Sequence, residues 1–370
     1  MRLIWIHDQV RRRAGPVLWF VCLWAALGAG AAWAGDVDLK NRASLSAEYD
    51  DNVYKANRDL TADFLGRLFY DFGLNWRITP NNIWLTNYQL GGKLYAQETE
   101  EDTIINQLQL GYTNYSIRTV QMGVQGSAKL RNIRSAEEDY LKFIGRAFVG
   151  KRFIDSIYAG IHAQYSEFDF RGSDYYDYWT QLYGAEFRYD FKRTFSVGAG
   201  YNYERKTYPF NALRNIGEEN ILLVERDDKR KDNLNEVRAS VRYQTAFFER
   251  LPFMTTLTYT YQNNASNSYG DAYDNHRVTV GLSQYVLEDT SVHFVGTFQF
   301  RDSKEKVLIP HSYSIEEDDE NYNQIQARLT HSFTEYFSLY GSYQRFWSNF
   351  DHDRLSFVRN LYALGITFRF

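Results

Sequence analysis

From residue 42 to the end of the chain, apolar and polar residues alternate with period two in runs of about ten residues, separated by turn-forming residues. Residues 64–78 show it best. Gly66, Leu68, Tyr70, Phe72, Leu74, Trp76 and Ile78 fall on one side, and Arg67, Phe69, Asp71, Gly73, Asn75 and Arg77 on the other. Successive side chains of a strand point to opposite faces, so each run predicts a strand with one apolar face. Sixteen runs can be placed: 42–49, 64–78, 83–96, 103–113, 120–130, 141–153, 157–166, 179–191, 195–204, 234–245, 253–262, 276–286, 292–301, 324–333, 337–346 and 355–370. Short connections near 79–82, 114–119, 154–156, 192–194, 246–252, 287–291 and 334–336 alternate with longer ones at 50–63, 97–102, 131–140, 167–178, 205–233, 263–275, 302–323 and 347–354. An even antiparallel barrel with both chain ends on one side requires this sorting, and a soluble sheet has no reason for it. The expected fold is all-β: a closed antiparallel transmembrane barrel of about 16 strands, with 14 or 18 as alternatives, short periplasmic turns and longer extracellular loops.

The last run strengthens this reading. Tyr362, Leu364, Ile366, Phe368 and Phe370 share one side, and Ala363, Gly365, Thr367 and Arg369 the other. A closed barrel needs such a last strand, because it must pair with the first and leave no edge. Tyr362, Gly365, Phe368 and Phe370 resemble the C-terminal assembly signal of bacterial outer-membrane barrels, with Ala363 standing where that signal has a polar residue. Residues 1–34 read as a cleaved secretory signal peptide. Arg11, Arg12 and Arg13 precede an apolar stretch over 17–27, and Ala32-Trp33-Ala34 offers a small-residue cleavage site. The expected mature chain is one barrel domain, residues 35–370, in the outer membrane of a Gram-negative cell. The sole cysteine, Cys22, lies in the leader, so disulfides, thiolate metal sites and cysteine nucleophiles are not expected beyond it.

Charge changes the picture of the interior. Beyond residue 34 the chain holds 38 basic and 45 acidic residues, a net charge of −7. The polar side of the runs is nevertheless basic. It carries Arg42, Arg67, Arg77, Lys93, Lys129, Lys142, Arg146, Arg188, Arg238, Arg242, Arg277, Arg301, Arg328 and Arg369 against Glu48, Asp71, Glu186, Asp190, Glu204 and Glu236. Much of the negative charge falls in the loop stretches 98–102, 137–139 and 316–320. A basic wall concentrates anions and repels cations. The competing reading is a plugged barrel whose arginines pair with inward carboxylates. Phe69, Tyr95, Phe148, Tyr158, Tyr285, Tyr340 and Phe346 also fall on the polar side, either as stacking faces for sugar rings or as lumen filling. Aromatics make up 17% of the chain. Trp76, Trp84, Phe153, Trp179, Phe191, Phe195, Phe333, Phe337, Phe368 and Phe370 gather at run ends, as interfacial girdles would.

Catalytic motifs are absent from the sequence: there is no H-E-x-x-H and no G-x-S-x-G, and an enzyme is not expected. A hydrolase with rim residues scattered in sequence stands as the third reading. No cofactor is expected. A low-ranking alternative is Ca²⁺ at the seam of the barrel, where Asp50 and Asp51 of the first loop would meet Asp351 and Asp353 of the last. Solvated acids neutralised by Arg354 or Lys55 are the simpler reading there. The longest connection, 205–233, contains Ile221-Leu222-Leu223-Val224 and is expected to fold into the lumen or over its mouth, or to pack among other loops.

Tyr49-Asp50-Asp51-Asn52-Val53-Tyr54, together with the barrel pattern and terminal Phe370, resembles a segment of β-barrel porins encoded with exopolysaccharide export genes. The resemblance implies outer-membrane passage of a polysaccharide or other solute, with polysaccharide export components as partners. The expected function is a porin-like passive channel, open to anionic or polysaccharide cargo; the alternative is a non-conducting structural or assembly barrel. Other expected partners are outer-membrane lipid, lipopolysaccharide and the barrel-assembly machinery, and no nucleic acid.

Overall fold

The computed structural model describes residues 35–115, 117, 119–135, 139–171, 177–192, 194–217, 221–247, 251–305, 323–348 and 356–370. The leader expected over 1–34 lies outside them. Sixteen strands, each hydrogen-bonded to its neighbours in chain order, close into one barrel when the last pairs with the first. In order they are β1 (Asp36–Asp50), β2 (Asp63–Thr79), β3 (Asn82–Tyr95), β4 (Thr103–Asn114), β5 (Val120–Ile133), β6 (Tyr140–Ile154), β7 (Ile157–Phe170), β8 (Tyr178–Phe191), β9 (Phe195–Asn215), β10 (Leu223–Phe247), β11 (Leu251–Ser266), β12 (Tyr273–Leu287), β13 (Thr290–Ser303), β14 (Asn323–Ser332), β15 (Phe337–Ser348) and β16 (Phe357–Arg369). Every pair is antiparallel. Closure satisfies the backbone donors and acceptors that an open edge would leave unpaired in lipid. Among the described residues the only helix is one 3₁₀ turn, Thr99–Glu101.

Alternation fixes the two faces. Apolar side chains such as Leu45, Phe64, Ile161, Tyr183, Val237, Leu257, Phe300 and Leu364 are exposed on the outside, where a soluble protein would bury them. Hydrocarbon is the solvent this surface fits. The expected girdle aromatics sit on this face: Trp76 opposes Trp84, and Phe333, Phe337 and Phe368 run in contact, with centroids 5.6 and 5.3 Å apart.

Of the two expectations for segment 205–233, the described residues fit the second, packing against another loop. The segment is the top of a β-hairpin: β9 and β10 stay paired up to Asn215 opposite Leu223. Pairing satisfies the backbone, so the apolar run needs no fold-back to be accommodated, and Leu222 is exposed. The hairpin leans on the β11–β12 connection, where Leu213 N–H donates to Ser268 Oγ (3.2 Å), Tyr269 N–H to the Leu213 carbonyl (2.9 Å) and Lys231 N–H to Asn267 Oδ1 (2.7 Å). Pro209 falls inside β9, where the sequence suggested a connection. It lies within the register shifts between Glu225 and Lys231 of β10, where the regular ladder is already broken.

Candidate pore-lining site

Directly opposed residues of an antiparallel pair share a face. Following Arg42↔Asp71, Asp71↔Gln89, Gln89↔Gln107, Gln107↔Lys129 and Lys129↔Lys142 round the wall places each on the inner face. Continued round all sixteen strands, the register puts the fourteen basic residues named from the sequence on that one face, Arg67 and Arg238 included. Phe69, Tyr95, Phe148, Tyr158, Tyr285, Tyr340 and Phe346 share it. Arg359, Lys206, Arg131, Arg152 and Arg230 also face in, and the sequence reading passed over them.

The inner charges are partly compensated. Arg67 meets Glu48 through two hydrogen bonds of 2.7 and 2.8 Å, Arg42 approaches Asp71 at 3.5 Å, Arg238 reaches Glu236 at 3.1 Å and Arg188 reaches Asp190 at 3.2 Å. Eight inward arginines, some of them in these pairs, line two cavities toward the short-turn end. Cavity A, about 850 Å³, is lined by Arg146, Arg152, Arg188, Arg238, His162, Tyr158 and a single carboxylate, Glu186. Cavity B, about 860 Å³, is lined by Arg42, Arg67, Arg328, Arg369 and His293, but also by Glu48, Glu288, Asp289 and Glu335. The Arg146 Nε in cavity A is buried with no hydrogen-bond partner among the described residues. A buried donor without an acceptor is costly, and an anion would relieve it.

Two of the lumenal aromatics, Tyr340 and Tyr158, are not free platforms. A Cβ built on Gly365 would lie 2.5 Å from the Tyr340 ring, so that ring packs flat on the wall where only glycine fits. Its environment is completed by the Arg328 guanidinium, 3.6 Å from the ring centroid. Tyr158 repeats the arrangement, resting on Gly150 with the Arg188 guanidinium 5.5 Å from its centroid. Glycine beneath and cation beside leave little of either ring for a sugar to stack on.

Toward the long-loop end lies a cluster that sequence reading missed. Tyr140, Phe168, Phe170, Tyr178 and Tyr208 are buried together inside the wall, with Phe210 against them. Phe168 and Tyr178 stack at 5.0 Å, Lys206 Nζ sits 3.5 Å from the Tyr178 centroid and Arg230 4.2 Å from that of Tyr208. All continue the inward alternation of β6 to β9 past the points where the runs were ended. Arg230 in turn contacts Asp232 (2.8 Å) and Asp271 (3.0 Å). Burial, reinforced by the charge on Asp232, pushes the Asp271 carboxyl up to about 6 despite Arg230.

Several loop acids are buried caps. Asp63 accepts from the backbone N–H of Gln97 and Glu98 at 2.8 Å each, Asp102 from Tyr95 N–H at 2.7 Å, and Asp139 from Ile133 N–H at 2.6 Å. The calcium alternative meets the same difficulty. Asp50 is engaged by Arg359 through Nε at 3.0 and 3.1 Å and through Nη2, and Asp51 accepts from Asn360 N–H and Nδ2 at 2.6 and 2.7 Å. Protein donors already satisfy these oxygens; Asp351 and Asp353 lie outside the described residues, as do 316–320. The terminal signal residues close the wall. Tyr362 and Phe368 face out, Gly365 faces in beneath Tyr340, and Phe370 exchanges backbone hydrogen bonds with Asn41, both 3.1 Å.

No family model matches the chain, and no protein of curated function matches it in sequence. Among solved structures the barrel is similar to OmpF of Salmonella typhi in complex with daunomycin, with a TM-score of 0.50 at 13% identity over 92% of this chain and 99% of that one. It also aligns with in-vitro folded OmpT, an outer membrane protein of Vibrio cholerae (TM-score 0.48, 10% identity, 92% and 99% covered), and with a bacterial polysaccharide outer membrane secretin (0.46, 10%, 89% and 98%). At such identities the likeness is one of fold. Closed antiparallel topology, an apolar outer band and a polar interior make this protein a β-barrel of the bacterial outer membrane.

Proposed function

We propose that the protein is a porin-like channel that lets anionic solutes cross the outer membrane passively, acidic saccharide chains among them. The observation that carries this is cavity A: four arginines line it beside one lining carboxylate, two of them, Arg146 and Arg152, in no ion pair among the described residues, and the buried Arg146 Nε has no acceptor among those residues. Such a wall raises local anion concentration and repels cations. The reading involves no catalytic step.

Planar-bilayer recording of the refolded protein tests it. Discrete conductance steps are expected, with a zero-current potential under a KCl gradient whose sign is set by chloride. A cation-type sign overturns the anion preference. Absence of steps favours the second reading, a non-conducting structural barrel, for which the buried aromatic cluster below the long-loop end is the supporting feature.

A further inference from the structure

Tyr49–Tyr54, singled out in the sequence, lines neither cavity. Its central residues do something else. Asp50, Asp51 and Asn52 leave the end of β1 and grip the start of β16. Asn52 Nδ2 donates to the carbonyl of Val358 (2.8 Å) and to that of Ala56 (2.7 Å), while its Oδ1 accepts from Ala56 N–H (2.8 Å). Asp51 receives both the backbone and the side-chain N–H of Asn360 and returns its own N–H to the Asn360 carbonyl (3.2 Å). Asp50, fully buried, holds the Arg359 guanidinium, which lies 3.5 Å from the Tyr95 hydroxyl.

We propose that Asp50, Asp51 and Asn52, with Val358, Arg359 and Asn360, form a latch that selects the register in which the barrel closes. Elsewhere in the barrel, hairpin connections fix pairing. The seam has no connection, since its strands lie at opposite ends of the chain. Alternation cannot supply the missing information: a slip of one residue inverts the faces, but a slip of two restores them. The backbone bonds between Asn41 and Phe370 at the other end read no side chains. The latch does. A slip of two puts Leu361 or Phe357 in the place of Arg359, and Tyr362 or Val358 in the place of Asn360. The buried Asp50 carboxylate would then lose its cation, which strongly disfavours that closure.

The test uses the full barrel in detergent micelles or lipid. Asn360→Asp sets two carboxylates against each other; the double change Asp51→Asn with Asn360→Asp restores an amide–carboxylate pair with the roles exchanged. Amide exchange over 47–52 and 357–362 should rise on the order of tenfold in the single variant, the equivalent of about one to two hydrogen bonds, and return toward the parent rate in the double. Exchange across β8 and β9 should not change. Register is read separately by cysteine pairs. Ala47→Cys cross-links with Leu364→Cys, which it opposes, and with Ile366→Cys only when the seam slips. In the Asp51→Ala, Asn52→Ala background the off-register product should rise. Unchanged seam exchange in Asn360→Asp, no recovery in the double variant, or an unchanged cross-linking pattern would each overturn the latch. If the alanine variants fail to insert, recovery of the exchanged pair still decides the matter.

Discussion

Cavities A and B carry four arginines each and have nearly the same volume, yet electrostatically they are different surfaces. Around A the carboxylate among the lining residues is Glu186; around B there are Glu48, Glu288, Asp289 and Glu335. The Arg67–Glu48 pair in B is bidentate, whereas Arg146 in A has a buried Nε with no acceptor among the described residues. Pairing takes up two arginines in each cavity, Arg188 with Asp190 and Arg238 with Glu236 in A, Arg42 with Asp71 and Arg67 with Glu48 in B, so the contrast lies in the carboxylates left over: Glu288, Asp289 and Glu335 in B against Glu186 in A. The potential of a wall is set by what is left after pairing, and in this barrel the remainder lies on the β5–β10 side.

Charge reversal puts the largest strain on that comparison. Arg146→Glu with Arg188→Glu should lower the anion-to-cation permeability ratio roughly tenfold, the lower end of the range over which a charged cleft concentrates its counter-ions. The matched pair in B, Arg42→Glu with Arg328→Glu, should move it clearly less. Equal shifts in zero-current potential would show that the lumen behaves as one pool and that the contrast has no functional meaning. Next in size, raising KCl toward 1 M shortens the screening distance to about 3 Å and should abolish most of the preference of the parent channel; a preference that survives would point to direct ligation rather than field. A third measurement concerns what the cavities share. Gly150→Leu against Tyr158 in A and Gly365→Leu against Tyr340 in B should each cost about 1–3 kcal/mol through overpacking, read from urea unfolding midpoints. Adding Tyr158→Ala or Tyr340→Ala, respectively, should recover part of the loss. The smallest effect is a pH dependence at Asp271. Its folded pKa of about 6 exceeds the ordinary 3.8, so the folded state binds the proton more tightly. Its contribution to stability is therefore full below about pH 4 and is lost as pH rises through 6. Asp271→Asn should flatten that part of the stability profile.

Much of this architecture is legible in the sequence, because the period of two with one apolar side seen at 64–78 recurs along the chain, and the sorting of short and long connections separates a barrel from a soluble sheet. The inner face of Arg67 and Arg238 follows from the same parity. Other features were hidden for physical reasons. The strands continue beyond the membrane at Tyr140, Phe168, Tyr178 and Tyr208, where outward positions such as Glu167 and Asp169 become charged and the contrast between faces fades. Asp63, Asp102 and Asp139 look in sequence like any solvated loop acid; only the backbone N–H groups aimed at them distinguish a cap. Arg359 shares the parity of Arg369 and could have been found by counting, but its partner Asp50 lies 309 residues away and no local rule joins them.

Among the described residues, the β9–β10 hairpin has the longest strands of the barrel. A spanning strand needs about 9–11 residues, whereas β9 has 21 and β10 has 25. At about 3.4 Å per residue and a tilt near 45°, the excess of β9, the shorter of the two, raises a stiff palisade roughly 25–30 Å beyond the hydrocarbon. If the barrel conducts as proposed, a solute that approaches from this flank meets the palisade before the mouth. For such a solute the hairpin is a steric obstacle encountered ahead of any lumenal charge.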